Sequence, residues 1–250
     1  MRLGQLFLFG LFFLSTVAVA ELPETVARIK PSIVAVGTFK QTNSPQFTFR
    51  GTGFAVDDGT LIATNAHVIP ESTDPDGSKL AIQIRGINGE LTVWRAELRS
   101  RDKEHDLAIL KIEGRKLPSL RLANSDAIQE GQGIGFIGFP IGGALGFSPV
   151  THRGIVSSIT PIALPGGNAQ QLNQRLIRQL KNGAFNIFQL DATAYPGNSG
   201  SPVFDIESGT VIGVINMVFI KGSKESALSQ PSGISYAIPA SYLKRLLDQP

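Results

Sequence analysis

The 250-residue sequence reads as an all-β protein of sandwich or barrel architecture, closed by a short C-terminal helix. Two observations carry that expectation. Short apolar runs of strand type recur along the chain, and glycine-rich turn signals separate them. Helical periodicities between successive strands, the mark of a βαβ sheet, are scarce.

The first residues do not belong to that pattern. Arg2 is followed by an apolar run from Leu6 to Leu14 and then Ala18-Val19-Ala20 ahead of Glu21. This is the layout of a secretory signal peptide over residues 1–20, with small residues set for the peptidase. The run is shorter than the ~20 apolar residues of a spanning helix, so the expectation is export with no stable membrane span after cleavage near Ala20. The protein would then be periplasmic or extracellular.

Composition narrows the class further. Lys and Arg number 23 against 20 Asp and Glu, and no basic cluster marks a nucleic-acid footprint. There is no cysteine, so an exported chain has no disulfide and must rely on core packing. Three histidines, His67, His105 and His152, lack the i, i+4 spacing of a helical zinc site. Neither a metal nor another cofactor is implied.

The strand-like runs are 33–39, 53–56, 61–64, 80–84, 107–112, 133–137, 155–159, 187–190 and 211–215. Asp57-Asp58-Gly59, Asp74-Pro75-Asp76-Gly77 and Asn88-Gly89 supply turns between early runs. Helix is expected at Pro23–Lys30 and at 241–248. A third stretch, Gln170–Lys181, sets Leu172, Leu176 and Leu180 on one stripe inside a long connection over 160–186. Glu113–Leu122, with Gly114 and Pro118, reads as a join between two halves.

Three segments carry chemistry. Ser199 stands in Pro196-Gly197-Asn198-Ser199-Gly200-Ser201-Pro202. A serine hydroxyl needs a base to become a nucleophile, and flanking glycines let backbone N–H groups converge where an oxyanion would form. By itself this is equally an ordinary polar turn. His67 ends the apolar run 62–69, and histidine has the proton affinity suited to a general base near neutrality. Asp106 precedes the run 107–112 and could orient that imidazole. His105 is a competing base, but strand neighbours face opposite ways, which sets it poorly to meet Asp106. The order His, Asp, Ser matches the chymotrypsin arrangement, and Gly-x-Ser-x-Ser lacks the second glycine of a hydrolase elbow.

Together these segments resemble trypsin-like serine peptidases, and particularly the protease domain of HtrA (DegP-like) proteases. The resemblance rests on Thr64-Asn-Ala-His67-Val, Asp106-Leu-Ala-Ile-Leu110 and Gly197-Asn-Ser-Gly200. Gly51-Thr-Gly-Phe54, Leu122-Ala-Asn-Ser-Asp126, Gly135-Phe-Ile-Gly138-Phe-Pro140, Gly154-Ile-Val-Ser157, Gly213-Val-Ile-Asn216 and Tyr236-Ala-Ile-Pro239 extend it from about Glu24 to Leu247. It implies a chymotrypsin-like double barrel of two six-stranded antiparallel barrels, the first over about 24–115 and the second over about 120–240. It also implies a triad of His67, Asp106 and Ser199 in the cleft, with the N–H groups of Gly197 and Ser199 as oxyanion hole. Implied partners are partly unfolded polypeptides, together with further copies of the chain in a homo-oligomer.

Departures matter as well. HtrA proteases usually continue into PDZ domains, and the expectation here is a protease domain without one. Ser201 stands where the family commonly has glycine, as in glutamyl endopeptidases, yet 213–217 carries no histidine to hold a glutamate side chain. A basic-residue pocket would want a carboxylate six residues before the nucleophile, and Thr193 is there. Thr193, Ile215, Asn216 and Met217 are therefore expected to line a pocket for a small aliphatic side chain. A glutamyl-endopeptidase-like protease and an inactive, protease-like binding module are the two rival readings. The 160–186 connection falls where the family places a regulatory loop, and it is expected to gate the site.

Overall fold

The computed structural model describes residues 22–71, 77–86, 88–142, 146–161, 185–216 and 233–249. The expected signal peptide over residues 1–20, the expected helical stripe over 170–181 and Met217 lie outside them. Helix α1 (Leu22–Ile29) comes first, with Glu24 in its first turn and Arg28 in its last, each favourable for the helix dipole. Its buried face, Thr25 and Ile29, follows a spacing of four. Strands β1 (Ile33–Phe39), β2 (Phe47–Val56), β3 (Leu61–Asn65), β4 (Lys79–Arg85), β5 (Leu91–Asp102) and β6 (Leu107–Ile112) follow. After the join come β7 (Gly133–Gly138), β8 (Val150–Pro161), β9 (Asn186–Asp191), β10 (Pro202–Asp205), β11 (Val211–Ile215) and β12 (Ile234–Pro239). Helix α2 (Ala240–Leu247) closes the chain, burying Ala240, Leu243 and Leu246. Among the described residues no helix is long and apolar enough to cross a membrane.

The strands form two closed antiparallel barrels of six. The first runs β1-β2-β3-β6-β5-β4 and the second β7-β8-β9-β12-β11-β10, the same order twice. Closure removes free sheet edges.

Side-chain alternation divides the apolar residues into three clusters. Ile62, Ala108 and Leu110 face the interior of the first barrel, with Val34, Val36, Ala55 and Ile82. Phe136, Leu190, Val203, Ile212 and Ile215 fill the second. Their strand neighbours Leu61, Ala63, Leu107, Ile109, Phe204, Val211 and Val214 face outward and pack in a seam between the barrels, joined by Phe54, Leu243 and Leu246. Strands β3 and β11 are thus buried on both faces, every residue in each. That is why they read as unbroken apolar runs and not as alternations.

Strand β5 buries only Ala96, and its other residues are exposed or half-buried. Its charged sequence hid it from the sequence reading. Leu122, at the end of the expected join, bridges Val211 of β11, so the connection is itself stitched to the second barrel.

Phe204 is fully buried in the seam. Phe204→Ala should cost about 3–5 kcal/mol, as deletion of a buried aromatic ring does. Denaturant unfolding of wild type and variant, compared at the midpoint with equal slopes, measures it.

Candidate active site

Strand register brings the first two residues together. β3 pairs with β6 so that Asn65 sits opposite Leu107. His67 follows Asn65 in a single 3₁₀ turn (Ala66–Val68), and Asp106 immediately precedes Leu107, so the two ends meet at the same edge of the barrel. Asp106 Oδ2 lies 2.6 Å from His67 Nδ1, and Asp106 Oδ1 accepts the His67 backbone N–H at 2.9 Å. Two bonds to one residue fix both the position of the ring and its Nδ1–H tautomer.

A further donor to the carboxylate comes from the other half of the molecule. Asn216, just past β11, donates from Nδ2 to Asp106 Oδ2 at 2.7 Å. The Asp106 carbonyl accepts from Asn65 Nδ2 at 3.1 Å and from the Ala66 N–H at 3.0 Å. Asp106 is 5% exposed, so each donor replaces water that the carboxylate has lost. Its φ of 54° puts it in the left-handed region, where a non-glycine residue persists only if its surroundings hold it.

Ser199 arrives by the pairing of β10 with β11. Gly200 donates its N–H to the Ile215 carbonyl at 3.1 Å, and Ile215 donates to the Ser201 carbonyl at 2.9 Å. The serine is therefore next to Asn216, and through it next to Asp106. Strand β2 of the first barrel grips the same loop: the Thr52 N–H donates to the Ser199 carbonyl at 2.8 Å, and Thr52 Oγ1 donates to the Gly197 carbonyl at 2.7 Å. Two residues earlier, Arg50 Nε holds the Val68 carbonyl at 2.7 Å, beside His67. One strand thus positions the histidine turn and the serine loop together.

Gly197 and Gly200 are required by this arrangement. Their φ values are 102° and 87°, and a Cβ would strike the Phe139 carbonyl at Gly197 and the Thr52 carbonyl at Gly200. In the loop, the N–H groups of Asn198, Gly200 and Ser201 are each bonded to backbone carbonyls. Among the described residues no protein acceptor engages the N–H of Gly197 or Ser199.

The other sequence candidates fall in different places. Thr193 is half-buried ahead of the loop. Ile215 packs its side chain inside the second barrel and offers the site only its backbone. Asn216 is buried and turned to Asp106, a partnership that the sequence reading missed by assigning it to the pocket wall. Nothing in the local sequence marks it; the contact joins residues 110 positions apart. His105 and Asp106 do not lie on a strand as expected but in the turn before β6. His105 turns to Asp102, with Nδ1 2.6 Å from Oδ2.

Two closed six-stranded antiparallel barrels define the chymotrypsin-like double-barrel class of serine proteases. The chain belongs to the trypsin-like peptidase domain family, whose profile matches residues 51–214. It is 33% identical over 205 residues to a probable periplasmic DegP-like serine endoprotease of Chlamydia trachomatis, covering 80% of this chain and 33% of that one. It is 29% identical over 208 residues to the mitochondrial serine protease HTRA2 of Drosophila willistoni, covering 83% and 40%. The chain therefore spans between a third and two-fifths of the length of these relatives. Among solved structures it is similar to the HtrA-type protease AlgW with a tripeptide, at 28% identity and a TM-score of 0.63, covering 91% of this chain and 62% of that one.

Asn216→Ala would leave the buried Asp106 carboxylate one donor short. The expected loss is about 1–3 kcal/mol of stability. A denaturation midpoint equal to that of the wild type would show that the bond contributes nothing.

Proposed function

We propose that this chain is an exported serine endopeptidase acting through His67, Asp106 and Ser199. The observation that carries the reading is the short His67–Asp106 contact, shared with Asn216, at the edge where the Ser199 loop docks. Ser199 Oγ attacks the carbonyl carbon of the scissile bond as its proton passes to His67 Nε2. The imidazolium returns that proton to the departing amine, and water repeats the sequence on the acyl-enzyme. Asp106 keeps the proton of His67 on Nδ1 and stabilises the charged ring. The N–H groups of Gly197 and Ser199, free of protein acceptors among the described residues, are the oxyanion donors in this reading. Removing one such donor costs about 2.7–4 kcal/mol in enzymes of this kind.

The substrates are partly unfolded polypeptides, cleaved after small aliphatic residues. Support comes from the likeness to HtrA-type proteases and from the small or uncharged residues before the loop, Ala192, Thr193 and Ala194. Export is supported by the layout of residues 1–20 and by the periplasmic relatives. The homo-oligomer and the gating connection over 160–186 belong to the same proposal, on the strength of the family likeness.

Casein hydrolysis by the purified protein tests the core of this reading. Ser199→Ala and His67→Ala should each abolish nearly all turnover, and the double variant should be little worse, because the residues act as a unit. Asp106→Asn should fold yet lose most of the rate through the wrong tautomer. Hydrolysis by Ser199→Ala at the wild-type rate would overturn the assignment. Export is checked separately: N-terminal sequencing of protein recovered outside the cytoplasm should begin close to Glu21.

A further inference from the structure

A second histidine–aspartate pair sits four residues from the first, and the proposed chemistry does not use it. Asp102 ends β5, and the turn that follows delivers Asp106. The Asp102 carboxylate binds that turn at three points: Oδ1 accepts the N–H of Glu104 at 2.9 Å and of His105 at 3.0 Å, and Oδ2 faces His105 Nδ1 at 2.6 Å. Burial alone would raise the Asp102 pKa, but hydrogen bonds from the His105 ring and backbone outweigh it and hold the group below its ordinary value. The carboxylate is thus kept in the charged form in which it accepts all three bonds.

The ring of His105 is held from the other half of the protein. It stacks on Tyr242 of α2 with centroids 4.1 Å apart and planes 27° from parallel. Phe185, the residue before β9, meets it edge-on at 4.6 Å and also contacts Tyr242 at 5.3 Å. Arg245 lies over Tyr242 with its guanidinium carbon 4.4 Å from the ring centre, which fixes the tyrosine in turn. Two segments from the second half, α2 and the residue before β9, therefore converge on a single side chain of the first.

That side chain precedes Asp106, whose left-handed φ of 54° is costly for a non-glycine residue. Asp106 itself is secured by His67, Asn65, Ala66 and Asn216. Upstream, the backbone enters the strained residue through His105. Ring stacking, the Asp102 bond and the two backbone bonds together remove the freedom by which the turn could relax.

We infer that His105, clamped by Asp102, Tyr242 and Phe185, is a positioning residue that holds Asp106 in register with His67. The inference rests on the triad reading above. It differs from a stabilising role because it acts on the His67–Asp106 distance and not merely on the folded fraction. A displacement of about 1 Å in a catalytic group can cost up to about 100-fold in rate.

Two measurements test it. In the wild-type background, His105→Ala should lower kcat by about 10- to 100-fold with KM unchanged. His105→Asn, whose amide can still donate to Asp102, should recover much of that loss, and Tyr242→Ala should resemble His105→Ala while Tyr242→Phe should match wild type. In a Ser199→Ala background, proton NMR should show the hydrogen-bonded Nδ1–H of His67, and His105→Ala should broaden or abolish that resonance while the rest of the spectrum stays folded. If His105→Ala keeps the resonance and the wild-type kcat per folded molecule, losing only thermal stability, the residue is structural and the inference falls. If the Asn variant is as slow as the Ala variant, the Asp102 bond is not the clamp, and the inference falls in this form. A wild-type protein without peptidase activity, whose resonance still depends on His105, would defeat the proposed function and leave the positioning role standing.

Discussion

The seam between the two barrels is the constraint from which the site follows. Each barrel needs its own apolar interior, and each must also present an apolar outer face to the other. Strands β3, β6 and β11 meet both demands, so Leu61, Ile62, Ala63, Leu107, Ala108, Ile109, Val211, Ile212 and Val214 are all buried. Within the seam such strands carry no charge, and the one lysine of β6, Lys111, stands at an exposed position. The polar residues Asn65, Asp106 and Asn216 stand where these strands end. The candidate chemistry lies at the ends of these strands because the seam leaves no place for it elsewhere.

Polar groups at the rim then act as a second set of fasteners between the halves. Asn216 reaches from the second barrel to Asp106, and Thr52 reaches from the first barrel to the loop around Ser199. Thr52 Oγ1 also accepts the Phe139 N–H at 3.1 Å, so one hydroxyl serves both the serine loop and the end of β7. Removing a single partner from such a bond strands a buried polar group, which costs about 1–3 kcal/mol, more than the net value of the bond itself. The apolar seam sets how closely the barrels approach, while these bonds set the rotation and register at which they do so. Both are needed to bring Asn216 and the Ser199 loop of the second barrel up to the His67–Asp106 pair of the first.

The strands whose bounds the sequence marked most sharply are buried along nearly their whole length. Runs 33–39, 107–112 and 211–215 coincide with β1, β6 and β11 because their burial leaves uninterrupted apolar letters. Strand β5 was illegible for the converse reason: with Trp94 and Ala96 among Arg95, Glu97, Arg99 and Arg101, its outward face dominates the sequence. The chemical residues stood out by their type and by the glycines around Ser199. Their partners did not. Asn216, Thr52 and Asn65 owe their roles to contacts between distant strands, and an asparagine at a strand end has no local mark of being aimed at a carboxylate. His105 was discounted on the premise that it shares a strand with Asp106. It lies instead in a turn whose left-handed residue no propensity would suggest.

That turn also shows why a histidine–aspartate contact does not by itself make a base. His67–Asp106 and His105–Asp102 have the same Nδ1-to-Oδ2 distance of 2.6 Å, and in both the carboxylate also accepts the histidine's own N–H. What separates them is the rest of the ring. His67 keeps 34% of its side chain exposed at the cleft edge, beside the serine loop, while His105 keeps 18% and has Tyr242 on its face and Phe185 at its edge. A general base must offer its second nitrogen to a reacting group. His105 spends its surface on packing, whereas His67 is gripped by its Nδ1 side and left open elsewhere. The same pair of residue types therefore gives a fastener in one place and a candidate proton carrier in the other, and access to the ring, not the carboxylate contact, decides which.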